Sequence, residues 1–258
     1  MVSVTIEELV DARHTALVVV DMQNDFCDSN GALAKSGSDP SLIQAMAPRL
    51  LRLLQTAREA SLPIVHVRTE HSPWTDSESW IGRHHGQRRT VCFPGSWGAE
   101  YYPGFEPRVD AERRPGGHEF VVTKHRYSGF VGTELELVLR AHGIRTVVMT
   151  GEATNVCVES TARDAFMRDY WVAFVSDCTA STSQSAHEAT LYTMARHFGT
   201  VVTGEDVRRV WSAGSGRVFE DGRDALADAD AHGDERVSLA SAAELERSGA
   251  SQSRARGA

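Results

Sequence analysis

The stretch from Gly151 to Ser160, GEATNVCVES, constrains the fold more than any other part of the chain. The run at 145–150 that precedes it is apolar and β-branched, which is typical of a buried parallel strand. After it, four apolar residues recur at helical spacing: Val158, Ala162, Ala165 and Phe166. The pattern therefore predicts a strand, a sharp turn and a helix, with Cys157 in the first helical turn.

Cys157 is a candidate nucleophile in that position. Unpaired backbone N–H groups and the positive end of a helix dipole favour a thiolate over a thiol there. Free cysteine is also among the most buried residue types, so a role as a small core side chain fits this stretch equally well. The cysteines at 27, 92, 157 and 178 show no C-x-x-C spacing and are predicted to be free thiols.

Composition and charge narrow the class of protein. The chain has 258 residues, of which 41% are hydrophobic and 24% charged, as in a soluble globular protein with a sizeable core. A formal net charge of −8 argues against a nucleic-acid-binding surface, which needs basic residues to neutralise phosphates. The N-terminus lacks a basic segment followed by an apolar one, and no apolar run is long enough for a membrane span. We therefore expect a cytoplasmic protein that binds neither nucleic acid nor membrane.

Strands and helices alternate along most of the chain. Further short apolar runs predict strands at 15–21, 64–67, 118–124, 171–175 and 200–202. Helical periodicity lies between them, for example over 42–57, so the order predicts an α/β fold with a parallel sheet and right-handed crossovers.

The amino-acid composition changes near Ser212, after which few large apolar residues remain to offset the entropy cost of ordering the chain. The sequence therefore predicts one domain over 1–211 and a mobile, low-complexity tail over 212–258.

Three predicted strands lead into side chains that can carry chemistry. Asp21 closes the first strand, Lys124 closes the strand at 118–124, and Cys157 follows the strand at 145–150. Open α/β sheets bind their ligands at the carboxyl ends of the strands. Taken singly, Asp21 could be a turn or capping acid and Lys124 a solvated surface residue. Taken together, the three predict a shared crevice.

The segment 68–117 breaks the alternation and shows no sustained period. It contains several aromatic residues, including Trp74, Trp80 and Trp97. Long irregular connections are usually functional, so this segment is predicted to form a lid or a substrate wall. An aromatic satellite core or a subunit contact is the alternative.

Three stretches together resemble the signature motifs of the isochorismatase-like cysteine hydrolases. They are VVDMQNDF at 19–26, KHRYSGF at 124–130 and GEATNVCVESTARD at 151–164, and the resemblance covers roughly residues 12–211. It implies an α/β fold with three α/β/α layers around a six-stranded parallel sheet. It also implies a catalytic triad, which maps onto Asp21, Lys124 and Cys157.

The resemblance further implies a cis peptide bond between Glu152 and Ala153, which would direct the backbone N–H groups of Ala153 and Cys157 at an oxyanion. With these groups, Asp21 can take the thiol proton while Lys124 stabilises both charges. Cys157 can then attack an amide or ureido carbonyl and form a thioester. The expected function is cleavage of a C–N bond in a small amide or ureido substrate.

Several alternatives stay open at this point. The motifs are most similar to those of ureidoacrylate and biuret amidohydrolases, but the segment after Asp177 differs from theirs. A cyclic amide of the streptothricin-lactam type and nicotinamide are therefore alternative substrates. A catalytically silent binding protein of the same fold and a redox sensor using Cys157 are alternatives from other classes.

The sequence also gives expectations for the residues that line the substrate cavity, for metal binding and for the oligomeric state. The candidate wall residues are Asn24, Phe26, Trp74, Tyr127, Phe130 and Asn155. Nicotinamidase relatives hold a metal with an Asp-x-His-Pro-type segment and a later histidine, whereas here Glu70 and His71 are adjacent and His84 and His85 form a pair. We therefore expect no metal and no cofactor. Because family members are commonly dimers or tetramers, we expect a homo-oligomer.

Overall fold

The computed structural model describes residues 4–82, 91–108 and 118–214, and within them six strands form one sheet. The strands are β1 (Thr15–Val20), β2 (Ile64–Thr69), β3 (Glu119–Lys124), β4 (Thr146–Glu152), β5 (Trp171–Ala180) and β6 (Thr200–Val202). Their order across the sheet is β3-β2-β1-β4-β5-β6, and every neighbouring pair is parallel.

Helices connect the strands. They are α1 (Ile6–Leu9), α2 (Asn24–Cys27), α3 (Ala32–Lys35), α4 (Ser41–Glu59), α5 (Glu78–Gly82), α6 (Leu135–Ala141), α7 (Glu159–Phe166), α8 (Gln184–His197) and α9 (Gly204–Gly214). Short 3₁₀ turns lie at Ala12–His14 and Trp97–Ala99. A π-helical turn at Thr154–Val158 leads directly into α7. Pro48 lies inside α4 without ending it.

The helices cover both faces of the sheet. On one face α4 and α9 bury Leu50, Leu53 and Trp211. On the other face α6 and α7 bury Leu139 and Ala162, next to α8. This arrangement confirms the predicted three-layer α/β/α fold with a six-stranded parallel sheet.

The position of β1 in the middle of the sheet explains why its sequence is continuously apolar. Leu17 and Val19 belong to the cluster under α4, whereas Val18 and Val20 belong to the cluster under α6 and α7. Side chains alternate between the faces of a strand, so a strand covered on both faces needs apolar residues at every position.

The carboxyl ends of four strands lie at the same edge of the sheet. Val20 at the end of β1 pairs with Gly151 of β4, and Thr69 at the end of β2 pairs with Lys124 of β3. Immediately after β1, Asp21 adopts the left-handed backbone conformation with φ of 54°. The chain thus turns sharply at the edge of the sheet where the predicted crevice lies.

Strand β5 is longer than the predicted strand at 171–175. The pairing of β4 with β5 shifts register between Met149 and Gly151, and pairing resumes with Thr179 and Ala180. The polar residues at 176–177 interrupt the apolar pattern at this irregularity, which is why the sequence prediction ended there. The extension brings Ser181 to the carboxyl edge of the sheet.

The predicted tail begins inside a helix, because α9 continues to Gly214. Residues 215–258 lie outside the described residues, so the domain boundary and the mobile tail stay predictions. In the described ranges no helix combines the length and the apolar character that crossing a bilayer requires. The cytoplasmic location and the homo-oligomer also stay predictions.

Candidate active site

Lys124 contacts both other members of the predicted triad. Its Nζ atom donates to Asp21 Oδ2 at 2.7 Å and to Cys157 Sγ at 3.4 Å. The side chain of Lys124 is 1% exposed and that of Asp21 is 0% exposed, so the ion pair is enclosed by protein. The structure therefore brings together a carboxylate, an ammonium and a sulfur that lie 21, 124 and 157 residues along the chain.

A fourth side chain, Thr69, belongs to the same cluster and was missed by the sequence analysis. Its hydroxyl donates to Asp21 Oδ1 at 2.8 Å and accepts a short hydrogen bond from Lys124 Nζ. Gln23 fixes Thr69 through its side-chain amide, which donates to Thr69 O at 2.9 Å and accepts from Thr69 N at 2.7 Å. The available signal was the position of Thr69 at the end of β2, but the predicted strand stopped at residue 67.

Charge distribution keeps Lys124 ionised. Burial alone would lower the pKa of its ammonium group, but the charge of Asp21 and the hydrogen bonds to Asp21 and Cys157 outweigh burial, and the pKa is raised above its ordinary value. A permanent positive charge therefore lies between the carboxylate and the sulfur.

The surroundings of Cys157 favour the thiol, the form from which Asp21 is expected to take a proton. Burial raises the pKa of Cys157 well above its ordinary value; Lys124 opposes this, whereas Asp21 adds to it by charge and by hydrogen bonding. The effect of the helix terminus that the sequence suggested is therefore outweighed by burial next to a carboxylate. Deprotonation of Cys157 then needs a base, and Asp21, bound to the same Lys124 ammonium group, is the candidate.

The backbone changes direction between β4 and Cys157. The peptide bond between Glu152 and Ala153 is cis, and the π-helical turn that contains Cys157 begins at the next residue. The carbonyl of Ala153 accepts from Val156 N at 3.0 Å and from Val158 N at 3.2 Å. These bonds fix the turn that carries the sulfur, while the oxyanion role of the Ala153 and Cys157 N–H groups stays a prediction.

A cavity of about 250 Å³ opens onto Cys157 and Lys124. Its lining includes an apolar, largely aromatic set formed by Phe26, Leu33, Trp80, Ile81, Val91 and Tyr127. Polar and charged side chains also line it, among them His71, Asp76, Arg126, Glu152, Asn155, Ser181 and Thr182. Of the six predicted wall residues, Phe26, Tyr127 and Asn155 therefore line this cavity.

Trp80, rather than Trp74, provides the tryptophan wall. The ring of Trp80 lies 4.8 Å from that of Tyr127 between centroids, and the Arg126 guanidinium lies 5.0 Å above the Trp80 ring. Trp74 is 96% exposed and does not line the cavity. Trp74 lies in the turn at 73–75, before α5, whereas Trp80 is inside that helix and lines the cavity.

Two other predicted wall residues have structural positions instead. Asn24 begins α2, where its side-chain amide donates to Trp97 O at 2.9 Å and ties α2 to the 3₁₀ turn at 97–99. Phe130 is buried in the core between the sheet and α6, with the Arg168 guanidinium 4.8 Å above its ring. The sequence could not separate these packing positions from wall positions, because both need the same residue types.

The segment after Asp177 contributes a further contact. His187 of α8 lies with its Nδ1 atom 2.9 Å from Thr154 Oγ1, in the turn that carries Cys157. Burial lowers the pKa of His187, so its ring is neutral near neutral pH. This hydrogen bond connects α8 to the turn.

The histidines near the site do not form a metal-binding set in the described residues. Glu70 pairs with Arg68 at 3.0 Å, and His71 Nδ1 lies 3.1 Å from Asp76 Oδ1. Across 4–82, 91–108 and 118–214, no three His, Cys, Asp or Glu side chains cluster as metal ligands would. His84 and His85 lie outside the described residues, so no chemical step is derived through a metal.

Comparison with known proteins agrees with this geometry. The family model of the isochorismatase domain matches residues 15–206. The ureidoacrylate amidohydrolase RutB of Variovorax paradoxus (strain S110) is 34% identical over 207 residues, which cover 77% of this chain and 81% of that protein.

Solved structures give the same assignment. A cysteine hydrolase from Pseudomonas syringae pv. phaseolicola 1448A has a TM-score of 0.69 at 27% identity and covers 83% of this chain and 100% of its own. The N-carbamoylsarcosine amidase of Thermoplasma acidophilum has a TM-score of 0.59 at 30% identity and covers 74% of this chain and 97% of its own. The chain therefore belongs to the family of isochorismatase-like hydrolases.

Proposed function

We propose that this protein hydrolyses the C–N bond of a small ureido or amide substrate, with Cys157 as nucleophile and a thioester as intermediate. The observation that carries the proposal is the contact of Lys124 Nζ with both Asp21 (2.7 Å) and Cys157 (3.4 Å) at one end of a cavity. A base, a fixed positive charge and a sulfur within this distance are what nucleophilic catalysis by a thiol requires.

In the first half of the proposed reaction, Asp21 accepts the thiol proton as Cys157 Sγ bonds to the substrate carbonyl carbon. The carbonyl π electrons move to oxygen, and the backbone N–H groups of Ala153 and Cys157 are proposed to stabilise this oxyanion. When the oxyanion collapses, the C–N bond breaks and Asp21 returns its proton to the departing nitrogen. Lys124 compensates the negative charge wherever it lies, on Asp21 or on sulfur.

In the second half, water replaces the departed amine or ammonia. Asp21 takes a proton from the water molecule as the water oxygen attacks the thioester carbon. The C–S bond then breaks and the thiol proton returns to Cys157. The enzyme is restored with no cofactor consumed, and the net reaction is hydrolysis.

Family membership and the similarity to ureidoacrylate amidohydrolase place the chain among hydrolases of C–N bonds other than peptide bonds. The names of two relatives, ureidoacrylate amidohydrolase and N-carbamoylsarcosine amidase, both denote substrates with a carbamoyl group on nitrogen. A cavity of about 250 Å³ suits a small molecule, because pockets for drug-sized ligands start at roughly 300 Å³. A ureido substrate is therefore the first candidate.

Nicotinamide is a second candidate because of the aromatic wall. The rings of Trp80 and Tyr127 could stack on a flat heteroaromatic ring. A solved structure titled nicotinamidase/pyrazinamidase from Bacillus subtilis resembles this chain at 26% identity with a TM-score of 0.63.

A substrate screen with one matched variant tests the proposal. Ureido acids, N-carbamoyl amino acids, biuret and nicotinamide are assayed for ammonia release, and lactams for ring opening by mass spectrometry. We expect at least one ureido or amide compound to be hydrolysed, and Cys157→Ala to lose at least about a thousandfold in kcat while keeping its melting temperature. Turnover by Cys157→Ala near the wild-type rate would refute the cysteine mechanism.

A further inference from the structure

Glu152 is a buried carboxyl group in the cavity that the proposed mechanism does not use. It is the last residue of β4, it is 3% exposed, and it lines the same cavity as Cys157 and Lys124. Among the described residues, no hydrogen bond or ion pair to its side chain is found. Buried glutamates are usually paired, because an isolated carboxylate is costly to remove from water.

Among the described residues no cation pairs with Glu152; Arg126 lines the same cavity but donates to the backbone carbonyls of Thr75 and His125. Lys124, the cation close enough to influence it, is bound to Asp21 and Cys157. Asp21 itself is negative and disfavours a second carboxylate nearby. Burial raises the pKa of Glu152 well above its ordinary value, and the charge of Asp21 raises it further against the opposing effect of Lys124. A buried carboxyl group with no paired cation, close to the Asp21 carboxylate, favours the neutral acid over the carboxylate.

A neutral carboxylic acid has a defined recognition chemistry. It offers one O–H donor beside one carbonyl acceptor. An amide or ureido group presents the complementary pair, a carbonyl oxygen beside an N–H, so the two can form a pair of hydrogen bonds. An ammonium or guanidinium ligand would instead require the ionised form.

The scissile carbonyl already has a partner in the proposed mechanism. Its oxygen is assigned to the backbone N–H groups of Ala153 and Cys157, and its nitrogen to Asp21. The carboxyl of Glu152 is thus available for a different part of the substrate. Ser181 follows Ala180, the β5 residue that pairs with Glu152, and adds a hydroxyl group to the lining of the same cavity.

We propose that Glu152 is a specificity-determining residue that binds, as a neutral acid, a second carbonyl and N–H unit of the substrate beside the scissile bond. This inference rests on the proposed function and narrows its substrate class to compounds of the biuret or N-acylurea type. A carboxylate in place of the second amide would not supply the N–H, and a cation would not match the neutral acid.

Variants of Glu152 test the inference with a pair of substrates. Biuret contains the second carbonyl and N–H unit, and methylurea lacks the second carbonyl. We expect Glu152→Leu to lower kcat/KM for biuret by roughly ten- to hundredfold, mainly through KM, because two neutral hydrogen bonds are lost. The same variant should change kcat/KM for methylurea by less than about threefold, which a general structural defect would not allow.

Glu152→Gln is the discriminating variant because an amide keeps one donor and one acceptor in nearly the same shape. It should recover most of the kcat/KM for biuret that Glu152→Leu loses. Glu205→Gln makes the same substitution at an exposed glutamate of α9 and is the control for a change outside the cavity. If Glu152→Gln were as impaired as Glu152→Leu, or if a cationic urea were preferred to biuret by the wild type, the inference would be overturned.

Two further measurements keep this inference separate from the proposed function. Infrared difference spectra between the wild type and Glu152→Gln at neutral pH should show the carbonyl band of a protonated acid; a carboxylate band would contradict the inference. Biuret binding to Cys157→Ala, measured by calorimetry, should weaken roughly ten- to hundredfold when Glu152→Leu is added. Absence of turnover in the wild type would refute the proposed function, whereas equal biuret binding with and without Glu152→Leu would refute this inference.

Discussion

Replacing Thr69 with valine removes one hydroxyl from the centre of the site and little else. Threonine and valine have nearly the same shape, and Thr69 is 3% exposed, so the side chain should keep its place in the packing. The change removes the donor to Asp21 Oδ1, at 2.8 Å, and the acceptor for Lys124 Nζ. Both partners are charged, and their side chains are almost fully buried.

The expected magnitude follows from those two contacts. A hydrogen bond to a charged group contributes about 1.5–3 kcal/mol, and a buried charged group left without its partner bears the full desolvation cost. The Asp21–Lys124 pair persists in the variant, so we expect a loss equivalent to about one such bond. At about 1.4 kcal/mol for each factor of ten, kcat falls roughly ten- to hundredfold.

The assay is steady-state hydrolysis of the best substrate from the screen, with Thr69→Ser as the matched control. Serine keeps the hydroxyl and loses only a methyl group, so its kcat should stay within about threefold of the wild type. Melting temperatures of both variants report on folding. Equal kcat values for Thr69→Val and Thr69→Ser, with both proteins folded, would refute the role assigned to the hydroxyl.

Two further predictions concern stability. Burial raises the pKa of Glu119, but hydrogen bonds from His66, Arg58 and the Arg108 backbone outweigh burial and lower the pKa to about 2. The ionised Glu119 therefore stabilises the folded state above about pH 4.5, and this stabilisation is lost as the pH falls toward 2. Urea unfolding should therefore show the wild type more stable than Glu119→Gln at pH 6, with a gap that closes on acidification; a gap independent of pH would contradict the assignment. At Gly151, where φ is +106° and an added Cβ would lie 2.1 Å from Val20 O, alanine should lower the free energy of unfolding by at least about 2 kcal/mol. Gly132→Ala, with φ of +68° and no atom within 4 Å of the added Cβ, should cost only about 1 kcal/mol, and equal losses at the two positions would show that the steric argument is wrong.

The sheet was predictable because each strand is indicated by the residue pattern of its own short segment. A short continuous apolar run such as 15–20 is typical of a strand covered on both faces, and the alternation with periodic helices predicts parallel pairing. The convergence of Asp21, Lys124 and the Cys157 turn follows from the same rule, because parallel strands present their carboxyl ends at one edge.

The remaining features depend on contacts that no local pattern records. Trp74 and Trp80 are the same residue type in the same irregular segment, and only the direction in which α5 packs separates an exposed ring from a cavity wall. Thr69 lies in the site because the pairing of β2 with β3 places it opposite Lys124. The thiol state of Cys157 depends on burial next to Asp21, which outweighs the local effect of a helix terminus.

The enclosure of Lys124 and Asp21 has a consequence for the conditions under which the protein can work. Dissolved ions screen exposed charges over about 8–10 Å at moderate concentrations, but a pair whose side chains are 1% and 0% exposed is screened much less. The strength of this pair therefore depends more on the fold than on the surrounding electrolyte. A reaction centre of this kind should perform alike in dilute buffer and in concentrated salt.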